Sequence, residues 1–154
     1  MTTLTVCDER ALRRLAERYA QAVDQNDGDS FAKLFTADGV LDSPTGRHVG
    51  HDSIRRIPGM VRSRYLKTFH AVLNQLPTLS GDDVTAETYC IARHLLADAE
   101  GTRCYEMTLR YQDVFVRADG EWRFASRRLV VDWTQTYPVQ CAAHPASGPV
   151  QDAK

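Results

Sequence analysis

The sequence has no uninterrupted apolar run long enough to span a bilayer. Its opening residues, MTTLTVCDER, contain no apolar signal-peptide region, and a cytoplasmic location is the resulting expectation. Charge of one sign is missing too. With 19 lysines and arginines against 20 acidic residues, the formal net charge is −1, which offers neither nucleic acid nor an anionic membrane an electrostatic hold. Cysteine is sparse. Cys7, Cys90, Cys104 and Cys141 form no C-x-x-C pair and no zinc-like spacing, so free thiols are expected. No cluster of His, Cys, Asp and Glu stands at ligand spacing, and no bound metal is expected. There is no internal repeat.

What remains is a chain of 154 residues, 43% apolar and 25% charged, the profile of one globular domain. Residues 1–137 carry its patterning, and the Pro/Ala/Ser-rich stretch 138–154 reads as a loose tail. Residues 8–26 predict an amphipathic helix, with Asp8 as N-cap and Leu12, Leu15, Ala16, Tyr19 and Val23 as its apolar stripe, ended by Gly28. Asp29–Phe35 predicts a short helix. The stretch ADGVLDSPTGRHVG predicts strand, turn and strand, and residues 51–66 a further helix, broken near Pro58-Gly59. Strands follow at 67–76, 84–97, 102–117 and 121–137. Their short Gly/Asp connectors make them an antiparallel meander. Helices first and a long sheet afterwards define an α+β domain. A strongly curved sheet wrapped around the long helix would enclose a pocket.

Some residues stand out against this layout. In KTFHAVLNQ, Lys67–Gln75, strand alternation puts His70, Val72 and Asn74 on one face, which is either solvated or lines a pocket. An imidazole is the side chain most easily poised as a base near neutral pH. Asp24 lies at the edge of the first helix's stripe, in the last turn, where the macrodipole disfavours a carboxylate. It is either a surface residue before a turn or the partner that orients a histidine. Arg127 and Arg128 point to opposite faces of the last strand, and an inward arginine needs a carboxylate or a substrate anion. Tyr19, Tyr89 and Tyr105 are hydroxyl donors that also suit a core.

The stretch RYAQAVDQNDGDSFAKLFTADGVLDSPTGRHVGHDSI resembles the opening of the NTF2-like, SnoaL-like superfamily, in its Tyr-x-x-x-x-Asp helix, its D…LF..D.V turn and its G…I helix start. DGEWRFASRRLVVDW resembles that superfamily's last strand, and the likeness covers about residues 8–135. The resemblance implies a cone-shaped α+β barrel, its mostly antiparallel curved sheet wrapped around N-terminal helices. Within the superfamily the chain is most similar to the branch of scytalone dehydratase, bile-acid 7α-dehydratase and hexachlorocyclohexane dehydrochlorinase. That branch implies cofactor-free lyases with an Asp–His dyad, falling here on Asp24 and His70, 46 positions apart. It further implies a pocket arginine five residues after the tryptophan, which is Arg127 counted from Trp122, and a helix tyrosine at Tyr19.

The implied activity is a dehydratase acting on a small, mostly apolar cyclic substrate. Asn74, Val72, Ile91, Met107, Leu109 and Phe124 are the candidates for its wall. The open side of such a sheet is usually covered by a neighbouring subunit, so a homo-oligomer, dimer or trimer, is expected. Ketosteroid isomerases of this fold carry their base in a V-E-D-P turn, where this chain has LDSP with Ser43 in the base's place. An isomerase, a polyketide cyclase or a binding module on the same fold are the alternatives.

Overall fold

Thr5 opens the first helix. Its hydroxyl accepts from the Asp8 amide, and the Asp8 carboxylate accepts from the Thr5 amide, which closes a capping box. In the computed structural model, which describes residues 3–81 and 83–142, helix α1 runs Val6–Asp24. Asp8 is therefore the third residue inside the helix and not its N-cap. Its carboxylate also accepts from the Trp122 indole (3.0 Å) and from Arg117, tying the helix start to the far end of the sheet. These hydrogen bonds hold the Asp8 carboxyl down at about 2. Leu12, Leu15, Ala16, Tyr19 and Val23 are buried, as their helical spacing requires.

Gly28 does not end α1; it begins α2, Gly28–Ala32, capped by Asp27. A Cβ at Gly28 would lie 2.2 Å from the Arg55 carbonyl oxygen, so only glycine lets these two segments touch. Strands β1, Phe35–Ser43, and β2, Gly46–Val49, form a hairpin. Asp38-Gly39 makes no turn and instead sits inside β1, where pairing is interrupted between Phe35 and Val40. The expected single helix is two: α3, Gly50–Ile54, and α4, Ile57–Arg64. Pro58 opens α4 where it was expected to break a helix, because proline is tolerated in the first turn.

The meander follows as β3, Lys67–Ser80, β4, Asp83–Asp98, β5, Gly101–Ala118, and β6, Glu121–Pro138. All three connections are antiparallel, and β1 joins β6 in parallel. The sheet order is β2-β1-β6-β5-β4-β3: a curved, unclosed six-stranded sheet whose concave side holds the helices. Val139 continues past the last strand, its amide N–H donating a hydrogen bond to the Thr102 carbonyl; of the tail expected over 138–154, residues 143–154 lie outside the described residues.

Bulges decide which side chains face inward. In β3, Val72 pairs with Cys90 but Gln75 pairs with Thr88, so β3 carries one extra residue. Arg13 of α1 donates to the Val72 carbonyl (3.1 Å) and to that of Leu73, fastening the helix at this bulge. In β6, Ala125 drops out of the pairing, so Phe124 and Arg127 face the same side despite opposite parity. Thr5→Ala should cost about 1 kcal/mol of stability, and Asp8→Ala should lower the urea midpoint further, since it also frees Trp122 and Arg117.

Candidate active site

The last turn of α1 brings Asp24 against the start of β3. Its Oδ1 accepts from the Thr68 hydroxyl (2.7 Å) and contacts His70 Nδ1 (2.7 Å); its Oδ2 accepts from the His70 amide (2.9 Å). Partial burial opposes ionisation of Asp24, but these donors and the imidazole's charge outweigh it, so its carboxyl stays below the ordinary range. A carboxylate facing Nδ1 selects the tautomer with the proton on Nδ1. That leaves the lone pair on Nε2. The His70 side chain is 8% exposed and that of Asp24 22%.

His70 lines a cavity of about 350 Å³ between the sheet and α4. Tyr19, Val23, Leu41, Met107, Leu109 and Tyr111 make up most of its apolar wall, with Leu129 and Val131 from β6. Ser43, His48, Tyr65, His94 and Tyr105 supply polar groups. On the other side, His70 and Asp24 border an open outer groove of about 620 Å³ beside Arg13, Arg18, Gln21 and Gln25.

Several expected wall residues lie elsewhere. Asn74 is exposed, because the bulge gives Gln75 the inward position; Gln75 donates to Thr88. Val72 borders the outer groove. Ile91 lies beside Tyr89 and Arg93 on a face of β4 opposite to the buried Cys90 and Ala92. Phe124 is fully buried beneath the cavity, against Phe35 and Phe115. Tyr89 is exposed, whereas Tyr105 lines the cavity. Ser43 lines it as well, and Asp42 does not.

Arg127 faces inward, but it is not among the residues that line the cavity. At 1% exposure, it makes a two-pronged pair with Asp113, Nε to Oδ1 and Nη2 to Oδ2, each 2.7 Å. Thr88 donates to the same Asp113 carboxylate (2.9 Å). The guanidinium stacks 4.3 Å from the Tyr19 ring, 4.0 Å from Tyr111 and 4.2 Å from Phe124. Its Nη1 has no hydrogen-bond partner among the described residues and lies among these rings. Burial keeps both tyrosine hydroxyls protonated far above neutral pH.

His94 escaped the sequence reading. It sits opposite Thr68 across β3–β4, edge-on to the His70 ring at 5.6 Å and against Tyr65 at 4.6 Å. Its Nδ1 donates to the Tyr105 carbonyl (3.3 Å). Burial, reinforced by His70, pushes its pKa down from 6.5 to about 4. His94 therefore stands neutral beside His70 at neutral pH. Only the β3–β4 register, invisible in one sequence, could have signalled it. Among the described residues no group of three or more His, Cys, Asp or Glu is arranged to hold a metal ion.

Two measurements follow from this geometry. Asp113→Ala should destabilise the fold by about 3–5 kcal/mol, because it strands a buried guanidinium; chemical denaturation reads this directly. His94 makes stability depend on pH. Below pH 6.5 the unfolded chain gains a proton that folded His94 refuses, so stability is full above 6.5 and falls toward pH 4, by roughly 3 kcal/mol at most. Asp24 acts in a lower window, its contribution being lost as pH falls below 3.8 through its depressed pKa. His94→Phe should flatten the upper window alone.

Comparison with known proteins bears on the fold and the family. No curated protein matches the sequence. A protein of unknown function from Mycobacterium tuberculosis has 26% identity and a TM-score of 0.72, covering 83% of this chain and 78% of its own. A putative scytalone dehydratase from Novosphingobium aromaticivorans superposes with a TM-score of 0.74 at 22% identity, over 97% of both chains. A type 2 hexachlorocyclohexane dehydrochlorinase, LinA, superposes with a TM-score of 0.80 at 19% identity, over 92% of this chain and 96% of its own. At such identities the last two likenesses establish the shared fold. The SnoaL-like domain model matches residues 4–128, and the chain belongs to that SnoaL-like, NTF2-like family.

Proposed function

We propose that this protein is a cofactor-independent lyase of dehydratase type, acting on a small, mostly apolar cyclic substrate in the 350 Å³ cavity. One observation carries the reading. The Asp24 carboxylate fixes His70 by both its ring and its amide, leaves the ring's second nitrogen without a hydrogen-bond partner among the described residues, and does so in a side chain that lines an apolar chamber. This is the geometry a general base requires.

In the proposed reaction, His70 Nε2 takes a proton from the carbon next to a carbonyl. The C–H electron pair becomes the new double bond, and the hydroxyl on the neighbouring carbon departs as water with the proton that the His70 imidazolium returns to it, which restores the neutral base. Asp24 holds the tautomer and stabilises the imidazolium. Tyr19, protonated and on the cavity wall, is suited to donate a hydrogen bond to the carbonyl or the leaving oxygen. Arg127 is given a positioning role under Tyr19 and Tyr111 in place of direct contact with substrate, since its carboxylate partner is already Asp113. The resemblance to dehydratase and dehydrochlorinase folds supports the same reading. Homo-oligomerisation is proposed alongside it; the exposed Phe69, Leu73, Tyr89 and Trp133 of the sheet supply apolar surface.

The test is a series of cyclic β-hydroxy ketones in deuterated water, followed by enone absorbance and by mass. Wild-type protein should release water. His70→Ala should lose about 100- to 10,000-fold of the rate with a Tm within a few degrees, and Asp24→Asn should lower the rate strongly. Deuterium uptake without water loss would move the reading to an isomerase or cyclase. If wild-type protein neither eliminates nor exchanges, a binding module is left.

A further inference from the structure

The cavity has a charge asymmetry that its apolar wall does not require. Among the described residues no aspartate or glutamate lines it, and the one permanently charged lining residue is Arg64, in the last turn of α4. The exposed lining residues, Pro44, Thr45, Met60 and Arg64, mark a mouth between the β1–β2 turn and α4. Among the described residues Arg64 forms no ion pair, and neither do Arg47, Arg56 or Arg62 on the same two elements. Eight other arginines do find carboxylates, and the remaining ones without an ion pair among the described residues, Arg10, Arg14, Arg18 and Arg128, do not line this cavity. The sequence carries the same bias: residues 43–67 hold Arg47, Arg55, Arg56, Arg62, Arg64 and Lys67 against Asp52 alone, in a chain of net charge −1.

A positive rim around a low-dielectric cleft raises the local concentration of anions and steers them inward. A guanidinium bordering that cleft, without a carboxylate of its own, is free to make a two-pronged contact with an incoming one. We propose that the cavity takes an amphipathic anion, an apolar ring body lodged against Leu109, Tyr111 and Val131 with a carboxylate-like group read by Arg64 at the mouth. The inference rests on the small cyclic substrate proposed above, and names its class.

Two probes that share one ring body test it: 8-anilinonaphthalene-1-sulfonate, and N-phenyl-1-naphthylamine, which lacks the sulfonate. Fluorescence titration should show both binding, in competition for one site, with the sulfonate tighter and alone weakened by salt. Arg64→Gln should raise the Kd of the sulfonate roughly tenfold and leave that of the neutral probe within about twofold. Unchanged affinity for both probes would make Arg64 a solvated surface cation and overturn the proposal. So would an equal loss for both, or no preference for the anion in wild-type protein. The readout is binding, so the proposal stands or falls apart from turnover: His70→Ala should keep the anion preference even if the lyase reading fails.

Discussion

The carboxylate of Asp24 is placed where helix electrostatics works against it, at the negative end of α1. It is kept ionised there by donors that come from the neighbouring strand, the Thr68 hydroxyl and the His70 amide and ring. The interaction therefore fixes two things together. It docks the end of α1 on β3, and it sets the rotamer and tautomer of the histidine. Arg13, about three turns earlier, makes a second attachment at the β3 bulge, so the helix is held at both ends of the same strand segment. The position of the imidazole is thus a property of the helix–sheet packing, more than of the strand that carries it.

Below the cavity lies a different solution to burying charge. Arg127 and Asp113 satisfy each other with two parallel hydrogen bonds, and Thr88 takes up another lone pair. Such a pair gains little net stability against its desolvation cost. Its geometric effect is larger: the planar guanidinium serves as a slab on which Tyr19, Tyr111 and Phe124 rest. Two of those rings are the cavity floor. A shift of Asp113 would reach the cavity through them.

The four long strands are legible because their Gly/Asp connectors and alternating patterns are strong local signals, as is the stripe of α1. Asp24 and His70 are legible as a pair only through family resemblance; each alone reads equally well as a surface residue. Errors cluster where pairing departs from strict alternation. One extra residue in β3 turns Asn74 outward and Gln75 inward, and the unpaired Ala125 puts Phe124 on the side of Arg127. Local patterning also misses partners that lie far off in sequence. Asp113, which explains Arg127, is 14 positions away, and His94 meets His70 only through the register of β3 with β4. The start of α1 is ambiguous in the sequence for a related reason, since Asp8 suits both the N-cap and the third position of a capping box, and Thr5 decides between them.

The outer groove gives the dyad a second side. His70 and Asp24 together form a partition one side chain thick, with a largely apolar chamber within and open water without. In the proposed chemistry the proton enters and leaves His70 through Nε2, because Asp24 keeps Nδ1 occupied. The carboxylate that stabilises the imidazolium borders the open groove, so its charge is exposed to screening by salt while the substrate it serves is enclosed on the other side of the ring.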